Sequence, residues 1–137
     1  MSSTAADFYA DSLTVTTTPP LESPYVTALH MTARGVVLSF NPASLAFGDV
    51  SVGGSSNKSF SVVNSGNVSA NVTLTAATAG TFSVTPTTKS FNSSFNASAK
   101  FTSQNPKAPK TGTITIATTS ATCGPLPAPL QLSGTSD

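Results

Sequence analysis

Charge is what this sequence lacks most. Six Lys or Arg stand against five Asp or Glu in 137 residues, a net of +1. A nucleic-acid binder gathers a basic surplus on one face, and no such surplus exists here. Lys100, Lys107 and Lys110 fall around one predicted loop and read as a solvated rim. Cysteine is nearly absent too. With Cys123 alone, no intrachain disulfide can form, and the expectation is a buried, inert thiol rather than an intermolecular bridge. Without Trp and without a cysteine pair, the chain is not an antibody-type domain. Glu, Gln and Lys are scarce and no window repeats apolar residues at helical spacing, which excludes long helices. No run of about 18 apolar residues exists, so membrane insertion through a helix is not expected.

Chemistry-bearing groups are equally thin. A hydrolase triad needs a base oriented by a carboxylate, and the one histidine is His30. Asp7 and Asp11 lie upstream of it, but a surface histidine on a strand is the simpler reading. Five scattered acids make no carboxylate pair, and one Cys with one His makes no zinc site. Asp49 reads as a turn former. No catalytic residue, metal or cofactor is therefore expected. Sequons begin at Asn57, Asn67, Asn71, Asn92 and Asn96; in a chain this rich in Ser and Thr, chance suffices for them. The first basic residue is Arg34, and residues 1–20 hold Asp7 and Asp11 without an apolar segment, so no signal peptide is read.

What the chain does have is Ser and Thr, 22 of each, with 9 Gly and 10 Pro as punctuation. Thr suits a pleated, half-buried surface, while Ser, Gly and Pro mark turns. From Val36 onward short alternating segments recur. Val36–Phe40 runs to an Asn41-Pro42 turn; Leu45 and Phe47 follow, then Phe60 and Val62 beyond Gly53-Gly54. After them come Val68 to Leu74, Phe82 with Val84, Phe95 to Phe101, Ile114 with Ile116, and Leu130 with Leu132. Seven or eight short strands with turns every eight to twelve residues predict an all-β, immunoglobulin-like antiparallel sandwich over 36–137. Its predicted core is Leu45, Phe47, Phe60, Val62, Val72, Leu74, Phe82, Val84, Phe95, Phe101, Ile114, Ile116, Leu130 and Leu132.

Residues 1–35 read differently, as a mobile arm (1–6) and an orphan β-hairpin. Ser12-Leu13-Thr14-Val15-Thr16-Thr17-Thr18 recurs as Thr113-Ile114-Thr115-Ile116-Ala117-Thr118-Thr119, 101 residues on. Leu29-His30-Met31-Thr32 recurs as Leu132-Ser133-Gly134-Thr135, 103 residues on. That offset is one immunoglobulin-like domain, so residues 7–33 look like the closing hairpin of a repeat whose opening strands are missing. Pro19, Pro20 and Pro24 fill its connection, and Ala33-Arg34-Gly35 is too short for a flexible tether. A lone hairpin is marginal in water and needs a second surface.

Pro42-Ala43-Ser44-Leu45-Ala46-Phe47-Gly48-Asp49-Val50-Ser51-Val52-Gly53 resembles the opening signature of ASPM–SPD-2–Hydin (ASH) domains, of the bacterial or phage type. Val63-Asn64-Ser65-Gly66-Asn67 resembles that family's second-strand turn, and Leu132-Ser133-Gly134-Thr135 its closing strand. The resemblance covers about 36–135 and departs from the pattern in three places. Asn92-Ser93-Ser94 replaces a Pro-Gly turn, Phe101-Thr102-Ser103-Gln104-Asn105-Pro106 replaces a Phe-x-Pro, and Met31 occupies the place of Gly134 in the first copy. The resemblance implies a non-catalytic structural or protein-binding module and supplies no catalytic residues.

Together these features predict a structural protein of a virion (capsid or tail decoration) or other extracellular assembly, or a filament subunit. Its expected partner is protein, either self-association or a shell or filament protein, gripped through Phe8, Tyr9, Leu13, Val15, Tyr25 and Leu29. Two other readings are an adaptor module excised from a tandem-repeat protein, and a glycan-binding domain using the hairpin aromatics.

Overall fold

The computed structural model describes residues 8–15, 25–78 and 80–137. The expected arm at 1–6 and the Pro-rich connection at Pro19, Pro20 and Pro24 lie outside them. Two strands come first, β1 (Phe8–Val15) and β2 (Tyr25–Thr32), paired antiparallel as a sheet of their own. Nine more build the sandwich: β3 (Leu38–Asn41), β4 (Ser44–Val50), β5 (Ser55–Asn64), β6 (Ala70–Ala76), β7 (Phe82–Thr85), β8 (Thr88–Phe91), β9 (Ser94–Thr102), β10 (Pro109–Thr118) and β11 (Leu130–Ser136). One sheet has the order β4-β11-β10-β6-β8 and the other β3-β5-β9-β7.

Nine strands exceed the expected seven or eight because proline divides the chain a second time, at Pro86, where it changes sheet as it does at the expected Asn41-Pro42 turn. Pro42 separates β3, which pairs with β5, from β4, which runs parallel to β11. Pro86 likewise separates β7, paired with β9, from β8, paired with β6. Proline lacks an N–H and cannot continue a ladder, so a strand interrupted by it is free to change sheet. The four residues of β8 carry little apolar alternation, which hid this strand in the sequence.

Alternation then builds the core. Every predicted core position is buried except Phe95, which is half-buried at the rim, edge-on to Phe91 with ring centroids 4.7 Å apart. Val36, Leu38, Ala70, Phe91, Ala97 and Ala99 join the core as well. At its centre Phe47, Phe82 and Phe101 pack within 5.1–5.9 Å of one another. Each ring buried in full contributes roughly 3 kcal/mol of transfer free energy, and ring pairing adds about 1 kcal/mol. Two glycines floor this cluster. A Cβ on Gly112 would stand 2.6 Å from Phe82 Cδ2, and one on Gly134 2.8 Å from Phe101 Cδ1.

The sandwich's outer strands are short or bent. β3, β7 and β8 have four residues each. β4 has seven, but its register slips opposite Ser133 and Thr135, where Gly48 has a φ of +75°. Short and bulged edges resist pairing with foreign strands.

Candidate interaction surface

The hairpin's register settles which of its residues share a face. Phe8 pairs with Thr32, Tyr9 with Met31, Asp11 with Leu29, Leu13 with Thr27, and Val15 with Tyr25. Directly opposed residues lie on the same face and side chains alternate along each strand. One face therefore carries positions Tyr9, Asp11, Leu13, Val15, Tyr25, Thr27, Leu29 and Met31. The other carries Phe8, Ala10, Ser12, Thr14, Val26, Ala28, His30 and Thr32. Five of the six residues expected to bind a partner thus fall on one face, while the register puts Phe8 on the other. Leu13 is 52 % exposed and Leu29 45 % exposed, high values for large aliphatic residues.

This register also reproduces that of β10–β11. In the sandwich Ile114 pairs with Leu130 and Gly112 with Leu132. Shifted back by the two repeat offsets, those pairs are Leu13 with Thr27 and Asp11 with Leu29, both present in the hairpin. Lys110 with Gly134 corresponds in the same way to Tyr9 with Met31. β10 and β11 each have a second neighbour, β6 and β4 respectively. Among the described residues β1 and β2 pair only with each other, which leaves an eight-residue edge on either side.

The root of the hairpin is fastened to the sandwich. Asn67 accepts from the Gly35 N–H at 3.0 Å and donates to the Ala33 carbonyl at 2.9 Å, while its own N–H reaches the Gly35 carbonyl. Asn64, buried at the end of β5, accepts from Val37 and Gly66 and donates to the carbonyls of Val68 (2.7 Å) and Asn92 (2.9 Å). On the opposite side Val36 donates to Ala121 and accepts from Cys123. Gly66 lies so close to Gly35 and Val36 that a Cβ there would overlap their backbone. Residues 33–37 are therefore held from both sides. Cys123 is buried against Gly35. The Asn64-Ser65-Gly66-Asn67 turn was visible in the sequence as a turn, but its role as a clamp was not. Two asparagines flanking a glycine are the signal that could have shown it.

Other surfaces offer less. A shallow groove is lined by Asn71, Thr73, Thr88, Lys89, Ser90 and Thr118, with one amine and no carboxylate. Lys107 lies 3.9 Å from Asp137, both exposed, a pairing worth little in water. Among the described residues, no three of His, Cys, Asp and Glu converge as metal ligands. No helix among the described residues is long and apolar enough to cross a membrane.

The two-sheet sandwich, with its opening strand split between the sheets, defines an immunoglobulin-like module of the PapD-like kind. Residues 36–123 match the HYDIN/CFA65/VesB-like Ig-like domain family, and the chain belongs to that family. It is similar to the ASH/PapD-like domain 7 of human CEP192, at 16% identity and a TM-score of 0.58, covering 78% of this chain and 90% of that one. It is also similar to the E. coli chaperone DraB, at 12% identity and a TM-score of 0.52, covering 74% of this chain and 54% of that one. A Bacteroides ovatus GH5 xyloglucanase aligns at 10% identity and a TM-score of 0.53, over 74% of this chain but only 19% of the enzyme. At these identities the likenesses speak for the fold alone. No curated protein matches the chain in sequence. The fold and family are those of an immunoglobulin-like domain.

Proposed function

We propose that the protein is a non-catalytic structural module that builds or decorates a larger assembly, its hairpin gripping a neighbouring protein. The observation that carries this reading is the register match: β1–β2 is laid out as β10–β11 is, yet among the described residues has neither flanking strand. An edge of eight residues with exposed Leu13 and Leu29 on the adjoining face gains main-chain hydrogen bonds and apolar burial together when another chain adds to it. The clamp at 33–37 supports the same reading, because a pre-set root lowers the entropy lost on docking. Such a contact is heterologous, and repetition of it gives rings or filaments.

A capsid or tail decoration protein of bacterial or phage type, in a virion or other extracellular assembly, is the setting we favour, and a filament subunit comes next. The partner is then a shell protein, a filament protein or another copy. An adaptor cut from a tandem-repeat protein would use the same hairpin. The test is the Leu13→Asp, Leu29→Asp double variant of the full chain. It is expected to fold as the parent does and to be missing from the assembly. Incorporation at unchanged stoichiometry would reject the reading.

A further inference from the structure

Three prolines alternate in the return from β10 to β11, in the stretch Gly124-Pro125-Leu126-Pro127-Ala128-Pro129. Each of these six residues is a proline or precedes one. Proline fixes its own φ at about −65° and drives the residue before it into an extended conformation. The stretch is thereby confined to polyproline II geometry, a left-handed helix with about three residues per turn.

Burial and hydrogen bonding agree with this. Exposure from Gly124 to Leu130 repeats at every third residue. Gly124 and Pro127 are half-buried and Leu130 is buried, while Pro125, Leu126, Ala128 and Pro129 are exposed. Among the described residues, the backbone from Pro125 to Ala128 makes no hydrogen bond, and the Pro129 carbonyl accepts only from the Gln131 side-chain amide at 3.0 Å. A strand would alternate at every second residue and pair its amides. One edge of the helix lies on the sandwich, where Pro127 shares a shallow groove with Phe40 and Ala43. Another edge presents Leu126 and Pro129 to water, one helical turn apart. Leu126 is 43 % exposed, more than any other large apolar residue among the described residues of the sandwich.

We infer that residues 125–129 are a recognition segment for a partner protein that reads polyproline II helices in a groove walled by aromatic rings. Rings of such a groove pack against proline and leucine, and their N–H or O–H groups reach the free carbonyls. A segment already held in its bound conformation loses little entropy on docking. Charge narrows the partner further. Between Lys110 and Asp137 the chain has no charged residue. A groove that orients its peptide through an acidic pocket finds no cation here, so the fitting partner relies on rings alone, as a WW domain can. This surface is separate from the hairpin, and neither proposal depends on the other.

The test titrates the full chain into each of a set of WW domains and follows the emission of the groove Trp. That signal is unobscured, because this chain has no Trp. At least one WW domain should show a saturable change with a Kd below about 1 mM. An SH3 domain with an acidic groove pocket should bind at least about tenfold more weakly. Leu126→Asp removes the apolar ridge and should weaken WW binding at least about fivefold. Pro125→Gly with Pro129→Gly frees the backbone and should weaken it too. Both variants alter exposed positions and should keep the parent's urea midpoint. Failure of every WW domain, tighter binding by the SH3 domain, or equal affinity for the parent and Leu126→Asp overturns the inference. Aggregation of the glycine variant with unaltered WW binding also overturns it, and assigns the prolines to guarding the edges of β3 and β4.

Discussion

Gly134 of β11 lies directly beneath the ring of Phe101, and a Cβ added there would sit 2.8 Å from both Cδ1 and Cε1. The contact joins the two sheets at the centre of the sandwich, and both residues are buried. Interiors at crystal-like density have no slack for an extra methyl, so the ring or the strand must move. Gly134→Ala should therefore cost about 1–3 kcal/mol in urea unfolding. Phe101→Leu should recover part of that loss in the double variant, since residues in contact couple. Additive losses would show that the contact is not the cause.

Asn64 satisfies four backbone groups from one buried side chain, two N–H donors and two carbonyls. Asn64→Ala strands all four, so a loss of more than about 2 kcal/mol is expected by chemical denaturation. Asn64→Asp should be no better despite its similar shape. A carboxylate has no N–H to give the carbonyls of Val68 and Asn92 and would face them as a charge. Near-native stability in either variant would show that the clamp does not depend on this side chain.

Ser103 presents the opposite case. It is 1 % exposed, and its Oγ has no hydrogen-bond partner among the described residues. Burying an unpaired hydroxyl costs free energy that an apolar side chain avoids. Ser103→Ala should leave stability unchanged or raise it by up to about 1 kcal/mol, read as the midpoint of urea unfolding. A loss beyond about 1 kcal/mol would mean that the hydroxyl has a role in the fold.

Cys123 offers a probe of the same region without substitution. Its thiol is buried against Gly35 in the segment that anchors the hairpin. Thiol-reactive reagents act on exposed thiolate, so labelling in native buffer should be slow and should follow unfolding. Fast labelling of otherwise native protein would show that the 33–37 clamp opens locally.

Much of this architecture was legible from alternation alone. Phe60 with Val62, Val72 with Leu74, and Ile114 with Ile116 read correctly because period-two burial leaves each strand one register. The repeat at Leu13 and Leu29 likewise foretold a hairpin, since a two-part offset survives whatever lies between its parts. What stayed hidden depends on contacts distant in sequence. β8 lacks alternation, Phe95 sits at a rim that periodicity cannot locate, and Asn64 draws two of its four partners, Val37 and Asn92, from distant segments. Phe8 was grouped with the other aromatics by composition, and only the pairing with Thr32 shows that it belongs to the opposite face.

Amide hydrogen exchange along β1 and β2 reports on the docking role most directly. In the isolated chain, the N–H groups on the outer edges of Phe8–Val15 and Tyr25–Thr32 should exchange quickly, while those shared between the strands are slower. In the native assembly the outer-edge groups should become protected to a degree comparable with β10 and β11. Unchanged fast exchange in a fully assembled particle would contradict the account, because a strand edge gripped by another chain cannot leave its amides open to water.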